Sequence, residues 1–288
     1  MNKQLVVLSL VLWSSTGFVQ AKGPVTTVPF TYQKGVPYIQ VVSSEGPSRS
    51  MRFILDTGAS PTVFNRLSLF GLNLEKFGVS GEPVDAPAMY VRQVRTTCGG
   101  ISLKRIALST DLADISMGCG HWVDGLLGTD YFRDKIVTID FKHDLLTIQE
   151  PESKGVFAAL FDDIPFCDRH DSAFVTIQTS KAKGPLVFLL DTGSTRTLID
   201  LNLAKQLGMN LSSKAELIHI VGGNATAFEA TNLAGSCNGY ALPSKILAYD
   251  FSDLSWRYSK HIDGILGTDF LHAFTVHINF QTRDVHFD

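Results

Sequence analysis

The sequence predicts a mostly β protein that is built from two similar halves. The octapeptide FILDTGAS at 53–60 returns as FLLDTGST at 188–195, so one motif occurs twice. Both halves contain short apolar runs bounded by Gly, Pro, Asn and Asp, a pattern typical of β-strands joined by turns. Together these observations indicate two pseudo-symmetric, barrel-like β lobes with a few short helices.

The repeat extends well beyond this motif. Further segments match in the same order in both halves, at a nearly constant offset. They are VPF at 28–30 with IPF at 164–166, PYIQVV at 37–42 with AFVTIQ at 173–178, TTCGGISL at 96–103 with GSCNGYAL at 235–242, VDGLLGTDYF at 123–132 with IDGILGTDFL at 262–271, and IVTIDFKHDLLTIQ at 136–149 with FTVHINFQTRDVHF at 274–287. The last two segments, at 136–149 and 274–287, are predicted to form β-hairpins. A tandem duplication explains the whole pattern and places the lobes at 22–150 and 164–288. The segment 151–163, which contains proline, serine and glycine, is the predicted linker.

Each half also contains the start signals of short helices. Threonine caps followed by aspartate in the first turn, where the helix dipole favours acids, are expected at Thr129-Asp130 and Thr268-Asp269. A second short helix is expected after each Asp-Thr-Gly motif, at about 65–72 and 201–207.

The composition and the N-terminal segment limit the expected location and partners of the chain. The chain has 288 residues, 44% of them hydrophobic, and a formal net charge of −3 without a basic stripe, so nucleic acid is not an expected partner. Residues 1–21 resemble a signal peptide, because a lysine precedes the apolar run at 5–13 and Val19-Gln20-Ala21 fits the cleavage rule. We therefore expect a secreted or periplasmic protein with no membrane segment after the signal is removed. A buried N-terminal strand or helix is the alternative.

Four cysteines, Cys98, Cys119, Cys167 and Cys237, occur in this chain. An even number in an exported protein predicts disulfide bonds, and the expected pairs are Cys98–Cys119 and Cys167–Cys237, each inside one half. The alternative is four reduced and buried thiols. Neither the cysteines nor the eight histidines have the spacing of a zinc site, so no metal and no cofactor are expected.

The repeated motif also indicates a chemistry. In each copy an apolar strand ends at a carboxylate, Asp56 or Asp191, which is followed by threonine and glycine. A carboxylate at the end of a buried strand is costly unless a partner compensates for its charge. Two such turns face to face would bring two carboxyl groups close enough to share one proton. Asp56 and Asp191 are therefore the predicted catalytic residues.

These residues resemble those of the retropepsin-like and pepsin-like aspartic proteases. Each lobe in that family carries an apolar-apolar-Asp-Thr-Gly turn and, later, an apolar-apolar-Gly segment. Both halves have the pair, as Asp56-Thr57-Gly58 with Leu126-Leu127-Gly128 and as Asp191-Thr192-Gly193 with Ile265-Leu266-Gly267. The resemblance covers essentially the whole chain after residue 21. It implies the bilobal acid-protease fold, with two retropepsin-like domains fused in one chain.

The resemblance also implies an activity, which is hydrolysis of polypeptides by water that Asp56 and Asp191 activate in a single-chain monomer. Supporting roles are implied for Thr57, Gly58, Ala59, Gly128, Thr192, Gly193, Ser194 and Gly267. The two threonines are expected to hydrogen-bond across the floor of the dyad. Because Ser194 stands where the first copy has Ala59, we expect its hydroxyl to donate to Asp191 and to favour the ionised form, leaving Asp56 protonated.

The family covers its cleft with β-hairpin flaps that lie between the two motifs. In the second half, Val221-Gly222-Gly223-Asn224 has the composition of a flap tip. The matching stretch at 85–90 carries a proline and no glycine, so the first flap is expected to differ. Within that stretch, Tyr90 is either a flap aromatic or an ordinary strand residue.

Two rival interpretations stay open at this point. The chain could be a catalytically silent peptide-binding protein that retains the cleft, although two intact acidic motifs argue against such decay. Alternatively, the lobes could pair between chains, which would give a domain-swapped dimer.

Overall fold

The structure is a computed structural model that describes residues 23–43, 48–70, 75–77, 88–92, 95–103, 106–150, 172–221, 223–252 and 261–288. The predicted signal peptide at 1–21, the predicted linker at 151–163 and Cys167 lie outside the described residues. Below, the first half means the described residues up to 150, and the second half means those from 172 onward.

The described residues are mostly β, as the sequence predicts. Fourteen of their strands form one sheet: β1 (Val25–Gln33), β2 (Val36–Ser43), β3 (Arg49–Leu55), β4 (Val63–Asn65), β5 (Glu75–Phe77), β6 (Ala88–Arg92), β7 (Thr96–Cys98), β8 (Ile101–Ser102), β9 (Ile106–Thr110), β10 (Gly125–Leu127), β11 (Ile136–Asp140), β12 (Leu145–Gln149), β22 (Thr275–Asn279) and β23 (Asp284–Phe287). Its order is β23-β22-β11-β12-β1-β2-β3-β10-β4-β9-β6-β5, with β7 on β2 and β8 on β7.

The second sheet contains nine strands of the described second half. They are β13 (Phe174–Thr179), β14 (Leu186–Leu190), β15 (Leu198–Asp200), β16 (Asn210–Ile220), β17 (Gly223–Thr231), β18 (Gly235–Cys237), β19 (Tyr240–Ala241), β20 (Lys245–Tyr249) and β21 (Gly264–Leu266). The order in the sheet is β16-β17-β20-β15-β21-β14-β13-β18-β19.

Short helices connect some of these strands. The α-helices of the described chain are α1 (Ala113–Cys119), α2 (Leu201–Gln206) and α3 (Thr268–Leu271), and 3₁₀ turns occur at Arg66–Leu69 and Thr129–Tyr131. Helices therefore form near the predicted places, but the predicted threonine caps are wrong. Gly128 and Gly267 hold the cap positions, and the hydroxyls of Thr129 and Thr268 instead donate to backbone carbonyls of the Asp-Thr-Gly loops.

The last two strands cross from the second half to the first sheet. Strand β22 pairs antiparallel with β11, from Ile136 opposite Asn279 to Asp140 opposite Thr275. The two hairpins predicted at 136–149 and 274–287 are confirmed, as β11–β12 and β22–β23. Through this pairing the two hairpins form four adjacent strands, β23-β22-β11-β12, at one end of the first sheet. Backbone hydrogen bonds between β11 and β22 therefore join the two halves.

The same three-strand arrangement carries each Asp-Thr-Gly motif. In the first half, β10 lies between β3, to which it is parallel, and β4, to which it is antiparallel. In the second half, β21 lies in the same way between β14 and β15. The aspartate amides then donate to the last residues of the central strands, Asp56 to Leu127 and Asp191 to Leu266, each at 3.0 Å. Asp56 therefore lies at the end of β3 and Asp191 at the end of β14, and the amide of each is bonded to the neighbouring central strand.

Strand alternation separates the buried apolar side chains into a large core and two smaller clusters. The large core takes side chains from both halves. The first-half cluster consists of Val36, Tyr38, Ile54, Val63, Leu112, Val123 and Leu126. The second-half cluster consists of Leu189, Leu198, Ala227, Leu247, Tyr249, Phe251 and Ile262. Ile54 and Leu189 each lie two residues before an aspartate of the motif, so both small clusters adjoin the two turns.

Candidate active site

Asp56 and Asp191 lie in contact, although 135 positions separate them in the chain. Asp56 is 8% exposed, whereas Asp191 keeps partial access to solvent. The charge of Asp191 and hydrogen bonding between the two carboxyl groups raise the pKa of Asp56, as expected for a pair that shares one proton. The face-to-face arrangement that the sequence indicates is therefore present, with one carboxyl from the end of β3 and the other from the end of β14.

Glycine at the third position of each motif makes this approach sterically feasible. A Cβ atom on Gly58 would lie 2.4 Å from Cγ of Asp191, and a Cβ atom on Gly193 would lie 2.6 Å from Cγ of Asp56. Carbon atoms without a bond do not approach so closely, because contact distances begin near about 3.5 Å. Each glycine thus provides the space for the opposite carboxyl group.

The two threonines bind the turns to each other. The hydroxyl of Thr57 donates to the carbonyl of Leu190 at 2.8 Å and accepts from the amide of Thr192 at 3.0 Å. The hydroxyl of Thr192 donates to the carbonyl of Leu55 at 2.6 Å and accepts from the amide of Thr57 at 3.1 Å. Both threonines are 0% exposed. Four buried hydrogen bonds therefore fix the two aspartates relative to each other.

Backbone amides also orient each carboxyl group. Oδ1 of Asp56 accepts from the amides of Gly58 and Ala59, each at 2.9 Å. Oδ1 of Asp191 accepts from the amides of Gly193 at 2.8 Å and Ser194 at 3.2 Å. Each carboxyl group is therefore held through Oδ1 by two amides of its own turn.

The pKa of both carboxyl groups is raised, and that of Asp56 is raised the more. Burial raises the pKa of Asp56, and the charge of Asp191 and the hydrogen bond between the two groups raise it further. Burial also raises the pKa of Asp191, but backbone amides, including that of Gly58 from the opposite turn, and the hydrogen bond from Asp56 offset part of this rise. Burial is the largest cause of both rises, so the pair retains a proton at a pH where isolated carboxyl groups have lost theirs.

Ser194 is not the cause of this asymmetry, so the predicted hydrogen bond to Asp191 is wrong. Its hydroxyl donates to the carbonyl of Arg196 at 2.8 Å. A hydroxyl carries one proton and takes the acceptor that its turn places within reach. The amide of Gly58 lowers the pKa of both carboxyl groups, because it donates to Asp56 at 2.9 Å and also lies close to Asp191.

The apolar-apolar-Gly segments close the loops that carry the two turns. The amide of Gly128 donates to the hydroxyl of Thr62 at 3.0 Å, and that hydroxyl donates to Asp130 at 2.7 Å. In the second half, the amide of Gly267 donates to Thr197 at 3.2 Å, and Thr197 donates to Asp269 at 2.7 Å. Asp130 and Asp269 therefore support loops and do not face the dyad, as expected for turn residues.

The cysteines do not form the predicted bridge between Cys98 and Cys119. Cys98, Cys119 and Cys237 are free thiols, and Cys167 lies outside the described residues. Cys98, at the end of β7, is buried in the large core, whereas Cys119, at the end of α1, packs against the first-half cluster, so the two thiols lie in different clusters. Burial raises the pKa of both Cys98 and Cys237 to about 12, so the alternative of reduced, buried thiols describes these two residues.

A long β-hairpin of the second half extends across to the first half. Its strands β16 and β17 meet at a turn that contains Val221, whereas Gly222 lies outside the described residues and Gly223 begins β17. Asn224 donates to Asp114 of helix α1 at 3.2 Å, and Val221 packs against the first-half cluster. The structure thus places the predicted flap tip beside helix α1, a neighbour that the sequence does not indicate.

The first half has a smaller described counterpart of this hairpin. Strands β5 and β6 pair there, with Tyr90 opposite Phe77 and, on its other side, opposite Leu108 in β9. Residues 85–87 of the stretch 85–90, where the first flap is predicted, lie outside the described residues.

The described residues contain no helix that is long and apolar enough to span a membrane. Within the same residues, no group of three or more His, Cys, Asp and Glu side chains is arranged to hold a metal ion.

Comparison with known proteins identifies one family. Residues 175–270 match the family model described as aspartyl protease. The matched segment contains the second Asp-Thr-Gly motif, the β16–β17 hairpin and the second apolar-apolar-Gly segment, whereas the first half lies outside it. A search of curated proteins finds no significant match to the chain. The match supports an aspartic protease family for this chain, and with it peptidase activity on polypeptide substrates.

Proposed function

We propose that the chain is an aspartic endopeptidase in which Asp56 and Asp191 together activate a water molecule. One observation carries this proposal above the others: each carboxyl group occupies the space left by the glycine of the opposite turn, so that the two share a proton. Two carboxyl groups at such a distance cannot both ionise at low cost, which is the property that general acid–base catalysis by a pair requires.

The shared proton assigns a role to each residue. Asp191, the charged partner, takes a proton from water as the oxygen of that water attacks the carbonyl carbon of the peptide bond. Asp56 donates its proton to the carbonyl oxygen. The proton that Asp191 took from water then passes to the leaving nitrogen as the C–N bond breaks. The products are a carboxylic acid and an amine, and the pair returns to its singly protonated state. Because the groups interact strongly, the titration belongs to the pair.

The architecture that we propose is the bilobal acid-protease fold, with residues 22–150 and 164–288 as two related lobes. Matching hydrogen bonds in both halves support this division, since the loops of Asp56 and Asp191 are closed by equivalent threonine, aspartate and glycine residues. We further propose that a single chain is sufficient, because the four threonine hydrogen bonds join the halves within one molecule. Secretion or a periplasmic location remains a proposal that rests on residues 1–21.

Peptide cleavage with matched variants tests the proposal. We expect the purified protein to cleave members of a fluorogenic peptide library, with activity that depends on pH between acidic and neutral conditions. Asp56→Asn and Asp191→Asn should each lower kcat by about 10²–10⁴-fold, because each removes one half of the acid–base pair. Asp284→Asn is the control, since it makes the same chemical change at an exposed residue of the last strand.

The outcomes separate the proposal from its rivals. Equal activity in the wild type and in both dyad variants would refute the assigned roles. Peptide binding without any cleavage by the wild type would favour a silent peptide-binding protein. Light scattering of the purified chain distinguishes the proposed monomer from a domain-swapped dimer.

A further inference from the structure

We propose that Gly35 and Thr268 are positioning residues for Asp191, through which a turn of the first half holds the loop of the second aspartate in place. The inference rests on the proposed function, because it concerns how one member of the catalytic pair is aligned. Contacts between the β1–β2 turn, helix α3 and the loop at 191–196 carry it.

The turn between β1 and β2 has the backbone of a tight hairpin. Gln33 pairs with Val36 across the turn. The two residues between them, Lys34 and Gly35, have φ values of 55° and 84°. Two successive positive φ values are typical of a type I′ turn, which glycine adopts without a steric penalty. The backbone at the tip is therefore set by residues of the turn itself.

Gly35 packs directly against the loop of the second aspartate. A Cβ atom at this position would lie 3.0 Å from Cγ2 and 3.2 Å from Cβ of Thr195. Carbon atoms in contact are usually about 3.5–4.0 Å apart, so a larger residue would push the two segments away from each other. Thr195 is the fourth residue after Asp191. The backbone of a first-half turn thus touches the loop that carries a candidate catalytic carboxyl group.

A buried hydroxyl joins the same turn to the same loop. Thr268, the first residue of α3, is 0% exposed. Its hydroxyl donates to the carbonyl of Gly35 and also lies 3.1 Å from the carbonyl of Ser194, which the amide of Thr268 reaches at 2.8 Å. Because the amide already supplies Ser194 with a donor, the bond to Gly35 is the one that only the hydroxyl can make. This hydroxyl therefore connects the two halves.

The repeat does not indicate this bond. Thr129 holds the equivalent place in the first half, and its hydroxyl donates to the carbonyl of Ala59 at 3.2 Å, within its own half. The bond from Thr268 instead reaches a residue 233 positions away. The two threonines are thus equivalent in the sequence and differ in the partner that the fold brings to them.

A stacked pair of rings supports the same contact at the other end of α3. The ring of Tyr32, in β1, lies over that of His272, with centroids 5.7 Å apart and an angle of 9° between the planes. Nδ1 of His272 donates to the carbonyl of Thr268 at 2.8 Å. The β1–β2 hairpin therefore contacts this helix through a strand as well as through its turn.

The joint acts on Asp191 through the amide of Ser194. That amide donates to Oδ1 of Asp191 at 3.2 Å and lowers the pKa of the carboxyl group, against the larger effect of burial. The carbonyl of the same serine is the group that Thr268 holds, so a shift of the loop changes the bond to the carboxyl group. Gly35 and Thr268 are therefore positioning residues and not catalytic ones.

Substitution of Thr268 by residues of similar shape tests the proposal. Thr268→Val removes the hydroxyl, whereas Thr268→Ser keeps it. With a fluorogenic peptide, Thr268→Val should lower kcat by about tenfold, as for the loss of one hydrogen bond, with little change in KM. The acid limb of its pH–rate profile should move to higher pH, because Asp191 loses an amide that favours its charged form. Thr268→Ser should restore both kcat and the acid limb.

The acid limb reports alignment here because none of these variants changes a charge. The charged and titratable groups on the elements around the loop are retained in every variant, namely Asp56, Lys34, His272 and the pair of Arg196 with Asp269 at 3.8 Å. Thr176→Val makes the same chemical change at an exposed position of β13 and should leave kcat and the acid limb unchanged. A folded Thr268→Val protein whose acid limb coincides with that of the wild type would overturn the proposal.

Gly35→Ala tests the joint from the first half. The added methyl group meets Thr195, and a φ of 84° disfavours alanine, so the acid limb should again move to higher pH. When Gly35→Ala and Thr268→Val are combined, kcat should fall by less than the product of the two separate falls, because both changes act through one loop. A fall equal to that product would show that the two residues act independently and would refute the joint.

Titration of the carboxyl group itself needs no enzymatic activity. Carbon-13 NMR of protein labelled at the aspartate carboxyl carbons, with Asp191→Asn to assign the signal, follows Asp191 directly. We expect its midpoint at higher pH in Thr268→Val than in the wild type, and an unchanged midpoint would overturn the positioning role. Should Thr268→Val not fold, Gly35→Ala takes its place in both measurements. If the wild type cleaved no peptide, the proposed function would fail while this titration still decided how Asp191 is positioned.

Discussion

Substitution of Thr57 by valine isolates the hydrogen bonds that join the two halves beneath the dyad. Valine has nearly the shape of threonine, so the change removes a hydroxyl and leaves no void. The carbonyl of Leu190 and the amide of Thr192 would lose their partner in a site that excludes water. Each buried group left unpaired costs about 1–3 kcal/mol, so the free energy of unfolding should fall by roughly 2–6 kcal/mol. Activity should fall as well, because the two aspartates lose a constraint on their alignment.

Urea denaturation followed by fluorescence measures this change. Thr192→Val removes the equivalent pair of bonds, to Leu55 and from Thr57, and should cost a similar amount. Thr176→Val, on an exposed position of β13, is the control and should stay within about 0.5 kcal/mol of the wild type. A change below about 0.5 kcal/mol in either buried variant would refute the reasoning, because it would mean that the groups find other partners.

Three further predictions follow from the pKa shifts and the side-chain partners. The folded state raises the pKa of Asp56, so this group contributes stability that is complete below the unfolded value of about 3.9 and is lost as pH rises through the folded value. Asp56→Asn should therefore gain stability relative to the wild type as pH rises towards neutral, in thermal melts at matched salt; a constant difference at all pH values would contradict this. Because the hydroxyl of Ser194 donates to the carbonyl of Arg196, Ser194→Ala should leave the acid limb of the pH–rate profile in place. A clear shift of that limb would show that this hydroxyl does influence the pKa of the two carboxyl groups. Cys98 and Cys237 should react with a thiol reagent only after unfolding, and a reductant should not change the melting temperature; a drop on reduction would indicate a disulfide bond.

Local patterns in the sequence were sufficient for much of the fold. Alternating apolar residues and turn residues predicted the hairpin at the end of each half, since these elements depend on neighbours in the chain. The position of the second hairpin tip followed from its glycines for the same reason. By contrast, the pairing of β11 with β22 joins strands that are far apart in the chain, and nothing local specifies it.

The sequence did not predict the neighbours of residues that have several possible bonding partners. Ser194 has a hydroxyl that either a carboxylate or a carbonyl can accept, and the path of the turn selects Arg196. Cys98 and Cys119 suited a disulfide by number and compartment, yet β7 and α1 carry them to different clusters and both are free thiols. In both cases the residue type allowed the predicted bond, and the fold supplied a different neighbour.

The sequence by itself indicated which residues are the candidates for catalysis, because a duplicated motif repeats Asp56 and Asp191 together with the glycines that their approach requires. Only the tertiary structure decided which groups lie around Asp56 and Asp191. It brought each carboxyl group into the space left by the glycine of the opposite turn, and it brought Asn224 of the β16–β17 hairpin to Asp114 of a helix from the other half. The physical reason is that hydrogen bonds and packing depend on positions in space, whereas a motif records only the order of residues along the chain.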